Sequence, residues 1–289
     1  MTTNTTTGLI TNKDFVTVTD STPQAGAVVW WELSGMVDAE KLRGAWQAAG
    51  LDGALVPEDP SPKTALKRAV DTLAEKRKLV RPFQGGYSLV DEIESGERLE
   101  YSQAVNATLD SVGNLKVEPA EGKLADLICA SYQAHLEQLV PADISGLLVR
   151  TCESLNAVAL RARGGFYFLP PDAVGKFRAA VCVLRSVSSH LVYELPALKT
   201  ESAVAAILAA VEREASAEIE EFEAILLAGA VGPRALKSKV RKCAGVADKV
   251  AEYEQLLGLS MTELQERLAG LRSRLTEASL LAAEAEAAA

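Results

Sequence analysis

The spacing of apolar residues changes character near residue 200, and the last third of the chain reads as helix. Residues 201–228 hold no Gly or Pro. They place Val204, Ile207, Leu208, Val211, Ile219, Phe222, Ile225 and Leu226 in steps of three and four, the period of an amphipathic helix. The segment GAVGP, residues 229–233, reads as a turn. A second helix then carries Leu236, Val240, Cys243, Val246, Val250, Tyr253 and Leu257 on one face, and Gly258 can end it in the left-handed conformation. Ser260-Met261-Thr262-Glu263 fits a capping box for a third helix. In that helix Met261, Leu264, Leu268, Leu271, Leu275 and Ala278 repeat as the a/d seam of a coiled coil. The alanine-rich end, LLAAEAEAAA, is expected to fray.

Before residue 200 short strand and helix patterns alternate. VVWWELSG (28–35) is of strand type, and Asp38 can cap a helix through Gly50. Ser61 and Pro62 start a second helix, with Leu66, Ala69, Val70 and Leu73 on one face to about Glu75. KLVRPF and YSLVDEI, joined by Gln84-Gly85-Gly86, read as a hairpin. A strand pair at 101–110 and 114–119 follows, then helices at 124–140 and from Asp143. AVALRAR and FYFLP flank Gly164-Gly165, which predicts a two-residue hairpin loop with φ > 0 at both glycines. A helix at 173–186 and a strand at 191–198 complete the region.

The predicted class is α+β: helix-plus-β-hairpin units, the first winged-helix-like, followed by a C-terminal antiparallel helical hairpin of coiled-coil character. The expected divisions are a flexible segment 1–27, a winged-helix-like unit with an extra hairpin at 28–120, a second α+β unit at 121–198, and the helices at 199–289.

Composition narrows the functional classes. A net charge of −9 excludes a uniformly electropositive surface and leaves room only for local basic patches. Of the cysteines, Cys129 in LICA and Cys182 in AAVCVL read as small buried thiols. With Cys152 and Cys243 they form no CxxC pair, so a reducing compartment is expected. The threonine-rich start lacks the basic and apolar regions of a secretory signal, and no apolar run reaches the roughly 18 residues of a membrane span. A cytoplasmic protein without membrane contact is expected.

Four patterns are candidates for function. Strand, helix, capped helix and hairpin across 28–93 match the order of a winged helix, apart from a leading helix. Lys63, Lys67, Arg68, Lys76, Arg77, Lys78 and Arg81, against Asp71 and Glu75, give that stretch +5, the charge a phosphate backbone attracts. The alternative is a solvated helix face. A second basic cluster, Arg234, Lys237, Lys239, Arg241 and Lys242, sits at a helix start, where cations oppose the macrodipole. Glu218, Glu220, Glu221 and Glu223 lie about as far before the turn, so an antiparallel fold sets these acids beside those bases.

For catalysis there are two histidines, His135 and His190, without a nucleophile or metal motif beside either. Both glycine pairs sit in hairpins, so neither opens a helix as a phosphate loop does. No catalytic residues, metal or cofactor are assigned, and an enzyme of unknown chemistry is the third reading. For assembly, the seam Met261, Leu264, Leu268, Leu271 and Leu275 either closes a three-helix bundle within one chain or pairs with a second copy or another protein.

The string WELSG…VPEDPSPKTALKRAV…VRPFQGGYSLVDE with the later LRARGGFYFLP resembles an uncharacterised family encoded by bacteriophages and bacterial genomes, over roughly residues 29–170. The resemblance implies a phage or mobile-element setting, with the host cytoplasm as location, and carries no catalytic residues. The leading expectation is a non-enzymatic interaction or structural protein that assembles through its C-terminal helices. A winged-helix-type nucleic-acid-binding protein is the alternative.

Overall fold

A computed structural model describes residues 23–74, 78–95, 98–229 and 231–288. Along the chain run β1 (Gln24–Glu32), β2 (Val37–Asp38), α1 (Ala39–Ala48), α2 (Pro62–Ala74), β3 (Lys78–Phe83), β4 (Gly86–Ser95), β5 (Arg98–Leu109) and β6 (Leu115–Glu118). Then come α3 (Lys123–Glu137), β7 (Gln138–Leu139), α4 (Pro141–Ser154), β8 (Val158–Ala159), β9 (Phe166–Leu169), α5 (Pro171–Val187) and β10 (Leu191–Leu198). Three long helices finish the chain: α6 (Glu201–Ala228), α7 (Pro233–Leu257) and α8 (Thr262–Ala288). The class is α+β with antiparallel sheets.

These elements form two compact units, and neither is one continuous stretch. Of the described residues, one gathers Pro23–Trp31, Cys152–Arg178 and those from Val192 on; the other holds those within Glu32–Thr151 and Ala179–Leu191. The units therefore differ from the consecutive segments expected from sequence. Long-range strand pairing is the reason, because one sheet has the order β10-β1-β9-β8 and ties the first strand to segments beyond residue 150.

In the second unit β3, β4, β5 and β6 form an antiparallel sheet in chain order. Gln84 (φ +34°) and Gly85 (φ +83°) make the two-residue turn between the paired Phe83 and Gly86. Only glycine fits at Gly86, where a Cβ would lie 2.0 Å from the Ala107 carbonyl oxygen. Leu89, Val105, Ala107 and Val117 pack with Leu66, Ala69 and Val70 of α2 and with Ile128 and Tyr132 of α3. The Tyr132 hydroxyl donates to the Gly113 carbonyl at 2.9 Å and ties α3 to the β5–β6 turn. This arrangement corrects the winged-helix-like expectation. β4 pairs with β5 from Gly86↔Thr108 to Ser95↔Arg98, so the β3–β4 hairpin is no free wing. The apolar face of α2 is buried on the sheet.

In the first unit one core joins sheet and helices. Phe168 and Val158 meet Ile207, Ile219 and Phe222 of α6, Cys243, Val250 and Tyr253 of α7, and Leu264, Leu268, Leu271 and Leu275 of α8. The Tyr253 ring lies 6.1 Å from Phe168, and its hydroxyl donates to the Asn156 carbonyl at 2.9 Å. Lys239 pairs with Glu221, Lys242 with Glu218 at 2.6 Å, and Lys249 with Glu214 at 2.6 Å. As α7 advances α6 is read backwards, which is the antiparallel register the charges predict.

Three local details depart from expectation. The β8–β9 connection is a longer loop over residues 160–165, in which Gly164 alone has positive φ (+84°). Gly165 is instead a point of close approach, since a Cβ there would lie 2.8 Å from the Trp31 ring. At the start of α8 the Met261 amide donates to the Glu254 carboxylate, whose other oxygen accepts from Gln265 Nε2 at 3.3 Å. The cap thus comes from α7 rather than from a Ser260–Glu263 box. Helix α8 continues to Ala288 instead of fraying after Leu280.

Leu268 is fully buried, whereas the Lys239 and Glu221 side chains are partly exposed. Leu268→Ala should lower the unfolding free energy by about 2–5 kcal/mol. Lys239→Ala should lower it by no more than about 1 kcal/mol, both read from urea unfolding. The reverse order would show that charge pairing, not the seam, holds the bundle.

Candidate partner-binding groove

Two of the bases of α2 are engaged by acids. Lys67 pairs with Asp71 at 2.6 Å, and that bond raises the Lys67 pKa. Arg68 donates twice to Asp143, at 2.9 and 2.8 Å, and Asp143 also accepts from the Val140 amide at 3.0 Å. Arg68 is thereby the clamp between α2 and the start of α4. Lys63 and Arg81 are exposed. Lys76 and Arg77 lie outside the described residues, as does the side chain of Lys78.

The seam of α8 is already occupied. Met261, Leu264, Leu268, Leu271 and Leu275 are all buried, packed on α6 and α7 of the same chain. Of the two arrangements open in the sequence, the structure has the bundle closed within one chain. These five side chains are therefore core residues of this chain.

What remains open is the end of the bundle where α6 stops, α7 begins and α8 runs on. Ser279 Oγ donates to the carbonyl of Pro233, the first residue of α7, at 3.5 Å. Helix α8 then continues for nine more residues, to Ala288. Ala282 still packs on the core, so the part of this overrun beyond it is six residues, or ~9 Å at about 1.5 Å per residue. A groove of about 800 Å³ lies along the α7–α8 junction, bordered by Pro233, Arg234, Lys237 and Val240 of α7 and by Leu280 and Ala283 of α8. Leu280 is 62% exposed, Leu281 59%, and Leu227 near the end of α6 is 90% exposed.

The same end carries unspent charge. Lys239 and Lys242 are paired to α6, but Arg234, Lys237 and Arg241 are exposed and form no ion pair among the described residues. Arg234 stands in the first turn of α7, where the helix macrodipole disfavours cations. The pairing device inferred from sequence therefore uses two of the five bases. Leu280 and Leu281 were legible only as an adjacent pair off the a/d positions, within an end read as fraying.

A model described as a family of unknown function (DUF6744) matches residues 25–287. The chain belongs to this family. The DUF6744 match takes in both units and extends the resemblance at 29–170 through all three bundle helices and into the α8 overrun. No curated protein and no solved structure matches the chain.

The remaining reactive side chains of this DUF6744 member serve the fold or stand apart. Cys152 is buried, and burial pushes its thiol up to about 12. Cys129 and Cys182 are exposed, which corrects the buried reading, because Ile128, Val181 and Val183 beside them take the inward positions. Among the described residues no three His, Cys, Asp or Glu side chains form a metal-ligand set. None of the described helices is long and apolar enough to cross a membrane.

Both histidines are buried, and His190 Nδ1 accepts from the Ser34 amide at 3.2 Å, which requires that nitrogen to be unprotonated. Burial lowers the pKa of each below its ordinary 6.5, and Arg68 adds to the effect at His135. The unfolded chain therefore binds more protons than the folded one once pH falls through 6.5. Urea midpoints should hold above pH 7.5 and fall between roughly pH 7 and 5.5, and His135→Asn with His190→Asn should flatten that fall. An equal decline in the double variant would assign it to other groups.

Proposed function

We propose that the chain is a non-enzymatic interaction protein that engages its partner through the free end of the C-terminal bundle. The observation that carries this reading is the coincidence at one place of exposed leucines, a groove and unpaired bases. Each is unfavourable in an isolated chain. Exposed apolar side chains forgo the roughly 25 cal/mol per Å² gained on burial, and bases at a helix start oppose its dipole. A partner helix with an apolar face and acidic flanks relieves both at once, in the helix-in-groove mode of recognition. The family match, which runs to residue 287, includes the overrun that forms one wall of the groove.

A nucleic-acid-binding role through α2 is less favoured by the geometry, since Arg68 and Lys67 are engaged by Asp143 and Asp71. The test is fluorescence anisotropy with a labelled helical peptide carrying leucines on one face and glutamates beside them. It should bind in low salt, and a peptide with lysine in place of glutamate should not. Arg234→Glu with Lys237→Glu should weaken binding at least tenfold. The reading fails if neither peptide binds, or if the double variant binds as well as the parent.

A further inference from the structure

Resting on that reading of the groove, we infer that its occupant is the α8 overrun of a second copy of this chain, each copy seating its tail in the other's groove about a two-fold axis. The chemistry of the overrun matches the groove it adjoins. After Arg274 the sequence contains no base, while Glu277, Glu284 and Glu286 supply acid and Leu280 and Leu281 supply apolar contact. Ala282, Ala283 and Ala285 between them are small enough to let two helices approach closely. The groove offers the complement: Arg234 and Lys237 on its α7 wall, with no acid anywhere in 234–242.

Within one chain this complementarity is not used. Glu286 borders the groove, yet neither Arg234 nor Lys237 forms an ion pair among the described residues. Tail and groove also lie at the same end of the same bundle. A contact in which each copy gives a tail and receives one is self-complementary and closes at two chains, the commonest symmetry of oligomers. A one-sided acidic partner would cover the groove and leave the exposed face of Leu281 where it is. A second copy brings its own leucines to that surface.

Light scattering on the full chain tests the inference. At tens of micromolar in low salt the molar mass should approach twice the 30.7 kDa of one chain and fall as salt is raised. Glu284→Lys with Glu286→Lys should give single chains, as should Arg234→Glu with Lys237→Glu, with unchanged helical circular dichroism in both because all four side chains are exposed. Mixing the two variants in equal amounts should restore the doubled mass, since each tail then opposes a groove of opposite charge. The inference is overturned if the parent chain stays at the mass of one chain up to hundreds of micromolar. It is also overturned if either variant pairs as the parent does, or if the mixture does not pair. A parent that stays single while still binding the acidic helical peptide removes the second copy as occupant and leaves the groove reading standing.

Discussion

Leu268 and Leu275 have no solvent exposure, and Leu264 and Leu271 have little, because α8 lies against α6 and α7 along its seam. Each such leucine contributes about 1.5–3 kcal/mol by leaving water, far more than the partly exposed ion pairs beside it. That burial fixes the rest of the first unit. It holds α7 where Tyr253 meets both Phe168 and the Asn156 carbonyl, beside the bonds that Lys249 gives the Ala157 carbonyl and Arg213 of α6 gives the Ala159 carbonyl of β8. It also sets the axial position of α8, and so how far α8 runs past the first residue of α7. The groove is a consequence of that register, since it lies where α8 continues past the first residue of α7.

Charge has a narrower part, which is to select orientation. A chain at −9 places five bases in nine residues at the beginning of α7, a costly location for them. Lys239 and Lys242 are compensated by Glu221 and Glu218, and this fixes α6 and α7 as an antiparallel pair. Arg234 and Lys237 stand nearer the turn, where α6 is ending and carries no acid after Glu223. Both are exposed and border the groove beside α8.

Much of this was legible because it is local or periodic. The boundaries of α6 and α7, the Gly258 cap (φ +72°), the Ser61–Pro62 helix start and the Gln84-Gly85 turn all follow from rules that span a few residues. What sequence concealed depends on contacts distant along the chain. Gly164 and Gly165 look alike in sequence, but one supplies a left-handed backbone and the other makes room for Trp31. Cys182 sits in an apolar run, yet successive helical residues are about 100° apart, so Val181, Val183 and Leu184 face inward and the thiol faces out. The discontinuous units were hidden for the same reason, since only strand pairing reveals that β1 belongs beside β9.

The groove was half legible, and the missing half is instructive. Both its ingredients stand in the sequence, a run of bases and a Leu-Leu pair among alanines and glutamates. Read separately, the first was explained by nearby acids and the second by fraying. Only the register between α7 and α8, marked by the Ser279–Pro233 hydrogen bond, shows that the uncompensated bases and the off-seam leucines lie at one place. Acid beside a basic wall is favourable in itself, so what this end of the bundle leaves unsatisfied is the apolar surface of Leu280 and Leu281.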